Sequence, residues 1–371
     1  MNESNDALSV IRNVTGRTQS AASPQVGGLE DFLRRQTDLG GTLVGVRLDE
    51  TRRKSGASSG TQVFYLTLQD ARDRQFERRL VFRWDLGGAF FFQYNLPDQY
   101  RVMKVLRQAG FPCPTVLWLD ADGDVVGAPG LFMEFVDAPA PAGQPFAEGP
   151  LVEAAPAARH AMILDSVRTF ARLHKLPPAE LDLGFLDHRG RGDHFIDREL
   201  DWTTRELLNS VPEGFGGKRR AYYDDARAAL LKTRDHLVRL APRHRAPELA
   251  HGDTNLSNFM YRGEKVAVLL DWELCHVGLG EADLGYCLAG NDHFLHLLPQ
   301  MDGVPSTAEM AQAYRAERGK LEDWDYCQLL GDWRLAVFQA MAFSRLPAAM
   351  AHVEEAYWAH ARERLARFVS L

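Results

Sequence analysis

The strongest constraint on this chain is a change of period along it. Between Leu43 and Trp84 the apolar residues come in short β-branched and aromatic runs separated by polar turns. Beyond Pro150 they recur mainly at helical spacing. A strand-rich stretch followed by a helix-rich one predicts an α+β arrangement rather than alternating βαβ units. At 371 residues the chain also exceeds what one ordinary core accommodates, so two or more lobes are expected.

The first part predicts five strands and one helix. Leu43 to Leu48 reads as a strand, followed by the Gly/Ser-rich turn Ser55-Gly56-Ala57-Ser58-Ser59-Gly60. Val63 to Leu68 and Leu80-Val81-Phe82-Arg83-Trp84 are two more strands across a charged turn. From Pro97 to Gln108 the apolar residues Tyr100, Val102, Met103 and Leu106 take helical spacing, and Gly110 is the stop. Thr115 to Leu119 and Leu131-Phe132-Met133-Glu134-Phe135-Val136 complete the set. The segment Asp137 to Pro150, rich in Pro, Ala and Gly, reads as a crossing between lobes. Helices are expected over Arg159 to Leu176, Arg219 to Leu240 and Trp333 to Phe368. The expected division is residues 1–28 as a polar tail or loose first helix, 29–135 as the small lobe and 136–371 as the helical lobe.

Composition removes several classes of function. A net charge of -7 argues against nucleic-acid binding, which shows a basic excess or stripe. No run of about 18 apolar residues is present, so no membrane span is expected. The N-terminus lacks an apolar secretion core, and the four cysteines (Cys113, Cys275, Cys287, Cys327) form no CxxC pair. Buried reduced thiols and a cytoplasmic location are the reading. Gly278-Leu279-Gly280 lacks the third glycine of a dinucleotide fingerprint, and no GxxxxGK[ST] occurs. His293 and His296 share a helix face but have no carboxylate partner in the motif. Lys218-Arg219-Arg220 reads as a solvated helix start.

One compact segment interrupts the helices. It runs His251-Gly252-Asp253-Thr254-Asn255-Leu256-Ser257-Asn258, then a short strand, a turn at Arg262-Gly263-Glu264-Lys265, the strand Val266 to Leu270, and Asp271-Trp272-Glu273. A hairpin about that turn brings Asn258 and Asp271 nearly opposite each other, with Asp253 on the adjoining loop. Phosphoryl transfer wants such a set: oxygen ligands for magnesium, and a carboxylate to orient the attacking hydroxyl.

HGDxxxxN, a hairpin and DWE in this order resemble the catalytic region of the aminoglycoside phosphotransferase family, whose members resemble protein kinases. The resemblance implies a two-lobed protein-kinase-like α+β fold, with ATP as co-substrate and Mg2+ as cofactor. It implies Asp253 as catalytic base and Asn258 and Asp271 as metal ligands. His251 and Asp283, the latter in Glu281-Ala282-Asp283-Leu284-Gly285, become structural supports. The turn carrying Gly56 and Ser58 stands where a phosphate-covering loop belongs. Arg83 takes the place of the phosphate-gripping Lys, and Gln99 that of its Glu partner; Gln99 could still hydrogen-bond Arg83, and Asp98 is a substitute one position out of register. Met133 is the gatekeeper, and the Glu134 C=O and Val136 N–H would hold adenine. Arg on that strand resembles the branch fused to acyl-CoA dehydrogenases, which points to a hydroxyl-bearing acid, its thioester or another metabolite as much as to an antibiotic. The expected partner is therefore a small-molecule hydroxyl substrate, with oligomeric state left open. Gln99 also favours an alternative, a catalytically inactive nucleotide-binding module. A metal-dependent phosphohydrolase is a further rival.

Overall fold

The computed structural model describes residues 23–370 apart from 56–58, 87–94, 140, 142, 189, 211–216, 297, 299 and 345–350. The chain divides into two compact units that succeed each other in sequence at Asp137 and Ala138.

The smaller unit opens with helix α1 (Val26–Arg34), so part of the expected tail is an ordered helix carrying Leu29, Phe32 and Leu33 into the core. Strands β1 (Thr42–Ser55), β2 (Ser59–Gln69) and β3 (Gln75–Asp85) follow, then helix α2 (Leu96–Gln108) and strands β4 (Val116–Asp120) and β5 (Gly130–Glu134). All pairings are antiparallel, in the order β1-β2-β3-β5-β4. The five strands and the helix after the third match the sequence reading, with longer strands than expected. Side-chain alternation puts Phe64, Leu66 and Leu68 of β2 on the buried face. There Phe132 stacks on Phe32 at 4.7 Å and meets Phe82 at 4.7 Å, a ring cluster in which each pair adds about 0.5–1.5 kcal/mol beyond area burial. Gly60 is a glycine because the Trp84 ring covers it; an added Cβ would fall 2.3 Å from that ring.

The larger unit is helical around two small strand pairs. Its main helices are α3 (Pro156–Leu173), α4 (Phe195–Asn209), α5 (Gly217–Leu240), α6 (Gly280–His296), α7 (Thr307–Arg318), α8 (Trp324–Ser344) and α9 (Ala351–Ala366). Helix α8 through Ser344 and helix α9 from Ala351 cover the described part of the helical run expected over Trp333 to Phe368. β6 (Glu248–Ala250) pairs with β9 (His276–Gly278), and β7 (Phe259–Arg262) with β8 (Lys265–Leu269). Asp165 of α3 pins the second hairpin, accepting from Lys265 Nζ at 2.9 Å and from the Val266 N–H at 2.9 Å. Among the described residues no helix is long and apolar enough to cross a membrane. All four cysteines are buried free thiols.

Candidate active site

Two strand pairs frame the polar segment of the larger unit. β6 delivers the chain into His251, and its partner β9 receives it after Leu274. Between them the β7–β8 hairpin turns at Gly263, φ +58, and pairs Phe259 with Leu269. The Leu270 N–H donates to the Asn258 C=O at 2.8 Å, so Asn258 faces Leu270 and Asp271 is the next residue. The register irregularity between Met260 and Tyr261 absorbs the offset that simple counting leaves. Asp271 itself sits in the left-handed region (φ 64, ψ 63) at the start of the short 3-10 turn Trp272–Leu274, a conformation Asp tolerates better than most residues.

Asp253 and Asn258 are fastened to each other. Asn258 Nδ2 donates to the Asp253 carboxylate at 2.9 Å and to the Asp253 C=O at 2.9 Å. This fixes the amide so that its other atom, Oδ1, is the oxygen left for a ligand. The Tyr286 hydroxyl faces the same Asp253 carboxyl group. Asp253 Oδ1 is buried and has no hydrogen-bond partner among the described residues. Burial, and after it the negative charge of Asp271, push the Asp253 pKa above its ordinary value.

The loop is held from below by one carboxylate. Asp283, fully buried on α6, accepts from the His251 N–H at 2.6 Å and the Gly252 N–H at 3.0 Å. Arg334 of α8 donates to it at 3.1 Å, and His174 Nε2 lies 3.1 Å away with Tyr314 OH on its other nitrogen at 2.8 Å. The Asp283 backbone carbonyl takes the Thr254 hydroxyl at 2.6 Å. Burial alone would raise the Asp283 pKa, but the hydrogen bond and charge of His174, with the charge of Arg334, hold it well below the carboxylate range. Arg334 also bonds Glu199 at 3.0 Å, carrying the brace into α4.

His251 lies inside this frame without facing a reacting group. Its Nδ1 accepts the Asp253 N–H at 3.2 Å, which leaves Nε2 to donate to the Leu270 C=O at 2.9 Å. Desolvation lowers its pKa, so it stays neutral, and Trp272 packs edge-on against it at 4.7 Å. Gly252 has φ +87, and a Cβ there would fall 2.3 Å from the Leu274 carbonyl oxygen. Gly252→Ala is therefore expected to lose at least about 1 kcal/mol in urea unfolding.

The smaller unit places its candidates separately. Arg83 Nε donates to Ser59 Oγ at 2.8 Å. Gln99 does not meet Arg83 as the sequence allowed: it is 1% exposed, and both amide atoms are without a hydrogen-bond partner among the described residues. Asp98 is no substitute, because Asn95 caps α2 by bonding its N–H at 3.1 Å and its carboxylate at 2.7 Å. Gly56 and Ser58 lie outside the described residues. The Glu134 N–H donates to Thr115 O at 2.9 Å and the Phe135 N–H to Arg79 O at 3.3 Å. The N–H groups of Glu134 and Phe135 thus turn to opposite sides, and Val136 follows two residues beyond the end of β5.

Sequence reasoning missed Tyr286, Arg334 and Thr254. Tyr286 had a signal, one helical turn beyond Asp283 on the same face. Arg334 had none, since its partners lie 51 and 135 residues away.

The geometry can be set beside known proteins. The model of the phosphotransferase enzyme family matches residues 62–330. Mouse acyl-CoA dehydrogenase family member 10 is 26% identical over 296 residues, covering 76% of this chain and 25% of the relative. The chain thus spans about a quarter of the length of that relative. Among solved structures, a Ralstonia eutropha protein described provisionally as an aminoglycoside phosphotransferase aligns at TM-score 0.64 with 22% identity, over 92% of this chain and 96% of that one. A spectinomycin phosphotransferase in complex with ADP and spectinomycin aligns at TM-score 0.52 with 12% identity, over 92% and 97%. The fold is the α+β protein-kinase-like one expected.

Proposed function

The chain belongs to the phosphotransferase enzyme family, and on that premise we propose that it transfers the γ-phosphoryl group of ATP to a hydroxyl of a small molecule. The observation that carries the reading is the Asp253–Asn258 pair, a part-buried carboxylate fastened to an amide, one hairpin position from Asp271 and braced by Asp283. A solvated loop end would need none of that.

Asp253 orients the acceptor hydroxyl and takes its proton at Oδ1, the oxygen that no described residue occupies. As that O–H bond breaks, the hydroxyl oxygen bonds to the γ-phosphorus and the bond to the β-phosphate oxygen breaks, leaving ADP. A carboxylate made more basic by burial is a better acceptor for that proton. Asn258 Oδ1 and the Asp271 carboxylate are a fitting oxygen pair for Mg2+, which takes few protein ligands and would neutralise phosphate charge when bound. Arg83, with Gly56 and Ser58 of the preceding turn, is the candidate phosphate contact, and Glu134 and Val136 are the candidate adenine contacts. His251 and Asp283 support the site without touching the reacting atoms, whereas Gln99, expected as a support, makes no hydrogen bond to Arg83.

A second reading, an inactive nucleotide-binding module, is favoured by the unpaired burial of Gln99. Calorimetric titration of ATP, with and without magnesium, on the wild type and Asp271→Ala separates the cases. We expect the wild type to bind ATP only with magnesium, and the variant to lose that dependence. No nucleotide binding under any metal condition would remove the kinase reading.

A further inference from the structure

The larger unit holds a second set of buried polar groups that phosphoryl transfer does not use. Arg364 of α9 is 2% exposed, and its Nε donates to Asp332 of α8 at 2.7 Å. Its Nη1 and Nη2 meet no acceptor among the described residues. One turn earlier on the same face, His360 Nε2 lies 3.0 Å from Asp292 of α6, and its Nδ1 is likewise unpartnered. His293 of α6 packs on the Tyr357 ring at 4.3 Å, is 6% exposed, and has an unpartnered Nδ1. His296 stacks on His360 at 3.8 Å.

Buried donors left without acceptors are costly, so such a set persists where something outside the chain completes it. The cluster's two carboxylates are already engaged, Asp332 by Arg364 and Asp292 by His360. What stays open is a guanidinium fork, which can only donate, the His293 Nδ1, which donates in one tautomer, and the His360 Nδ1, which donates when the ring that holds Asp292 carries both protons. That combination suits an oxyanion.

The place of the cluster adds a second argument. α6 carries Tyr286, whose hydroxyl faces Asp253, and seven residues later His293. Seven residues are two turns, which keeps both on one face and separates them by about 10 Å along the axis. Between them, a Cβ at Gly290 would lie 3.8 Å from Oδ1 of Asn255, itself buried, unpartnered and two residues beyond Asp253.

We propose that Arg364, His293 and His360 form a binding site for an oxyanion, carboxylate or phosphate, about 10 Å along α6 from Tyr286, whose hydroxyl faces Asp253. The spacing fits an acceptor with its hydroxyl at Asp253 and its anionic end at Arg364, a part of the inference that rests on the reading under Proposed function.

The test begins without catalysis. The melting temperature of the full chain is followed as inorganic phosphate or acetate is added, against sodium chloride at equal ionic strength. The wild type should show a saturable rise, and the apparent Kd should weaken at least tenfold in both Arg364→Lys and His293→Gln. Lys keeps the charge beside Asp332 and loses only the fork; if that variant fails to fold without anion, His293→Gln decides alone. A rise no larger than with chloride, or an unchanged Kd in the folded variants, overturns the site. The source of the anion is read from paired acceptors, a hydroxy acid and its amide, incubated with ATP and magnesium. A tenfold preference for the acid in kcat/KM, lost in His293→Gln, assigns the site to the acceptor. Equal use of both, with the phosphate effect retained, assigns it to a free anion. Absence of any transfer removes the kinase reading and leaves the anion titration to stand by itself.

Discussion

Asp253→Asn is expected to lower phosphoryl-transfer turnover roughly 10²- to 10⁴-fold while ATP binding persists, because the amide cannot take the acceptor proton. The substitution is nearly isosteric, and Asn258 Nδ2 keeps the Asp253 C=O as a partner, so the loop retains its shape. Rapid-quench measurement of ADP formation, beside calorimetric ATP binding, checks both halves; undiminished turnover would take Asp253 out of the base role. The pH dependence adds a sign. The base works ionised and its pKa is raised, so the acid limb of kcat/KM lies above the ordinary aspartate value of 3.8 and activity falls as pH drops through it.

Asp283→Ala is expected to lose about 3–5 kcal/mol, the scale of removing one partner from a buried, hydrogen-bonded ionic network. The His251 and Gly252 N–H groups lose their acceptor, and Arg334 keeps Glu199. Asp283→Asn preserves shape and one acceptor oxygen, and should lose less. Urea unfolding between pH 5 and 8 measures the difference. Because the folded pKa of Asp283 is depressed, its contribution is fully present above the ordinary 3.8 and disappears only as pH falls through the lower folded value. The gap between wild type and variant should therefore stay constant over that range. A gap that closes as pH falls from 8 to 5 would mean that another group holds the loop.

What the sequence disclosed follows from how local each signal is. The β7–β8 hairpin, the loop from His251 to Asn258 and the succession of strands and helix along the smaller unit all rest on patterns local in the chain, and those could be read. α6 could not. From Gly280 to Asn291 it is buried on every side, so no polar stripe marks its period, although it carries both Asp283 and Tyr286. α4 hid for another reason: its buried face includes Glu199, Thr203 and Glu206, which read as surface residues. The expected Gln99–Arg83 contact failed because position in a strand and position in a helix do not say which way an amide turns.

The convergence on Asp283 also imposes a schedule on the nascent chain. His174 and the loop at His251 leave the ribosome well before Asp283, and Arg334 follows another 51 residues later. Until α8 has emerged, Asp283 holds its four donors one short, and any early collapse around the loop takes place without the guanidinium of Arg334. The machinery for chemistry is thus completed late in synthesis, and chains ending before Arg334 have no means of setting it.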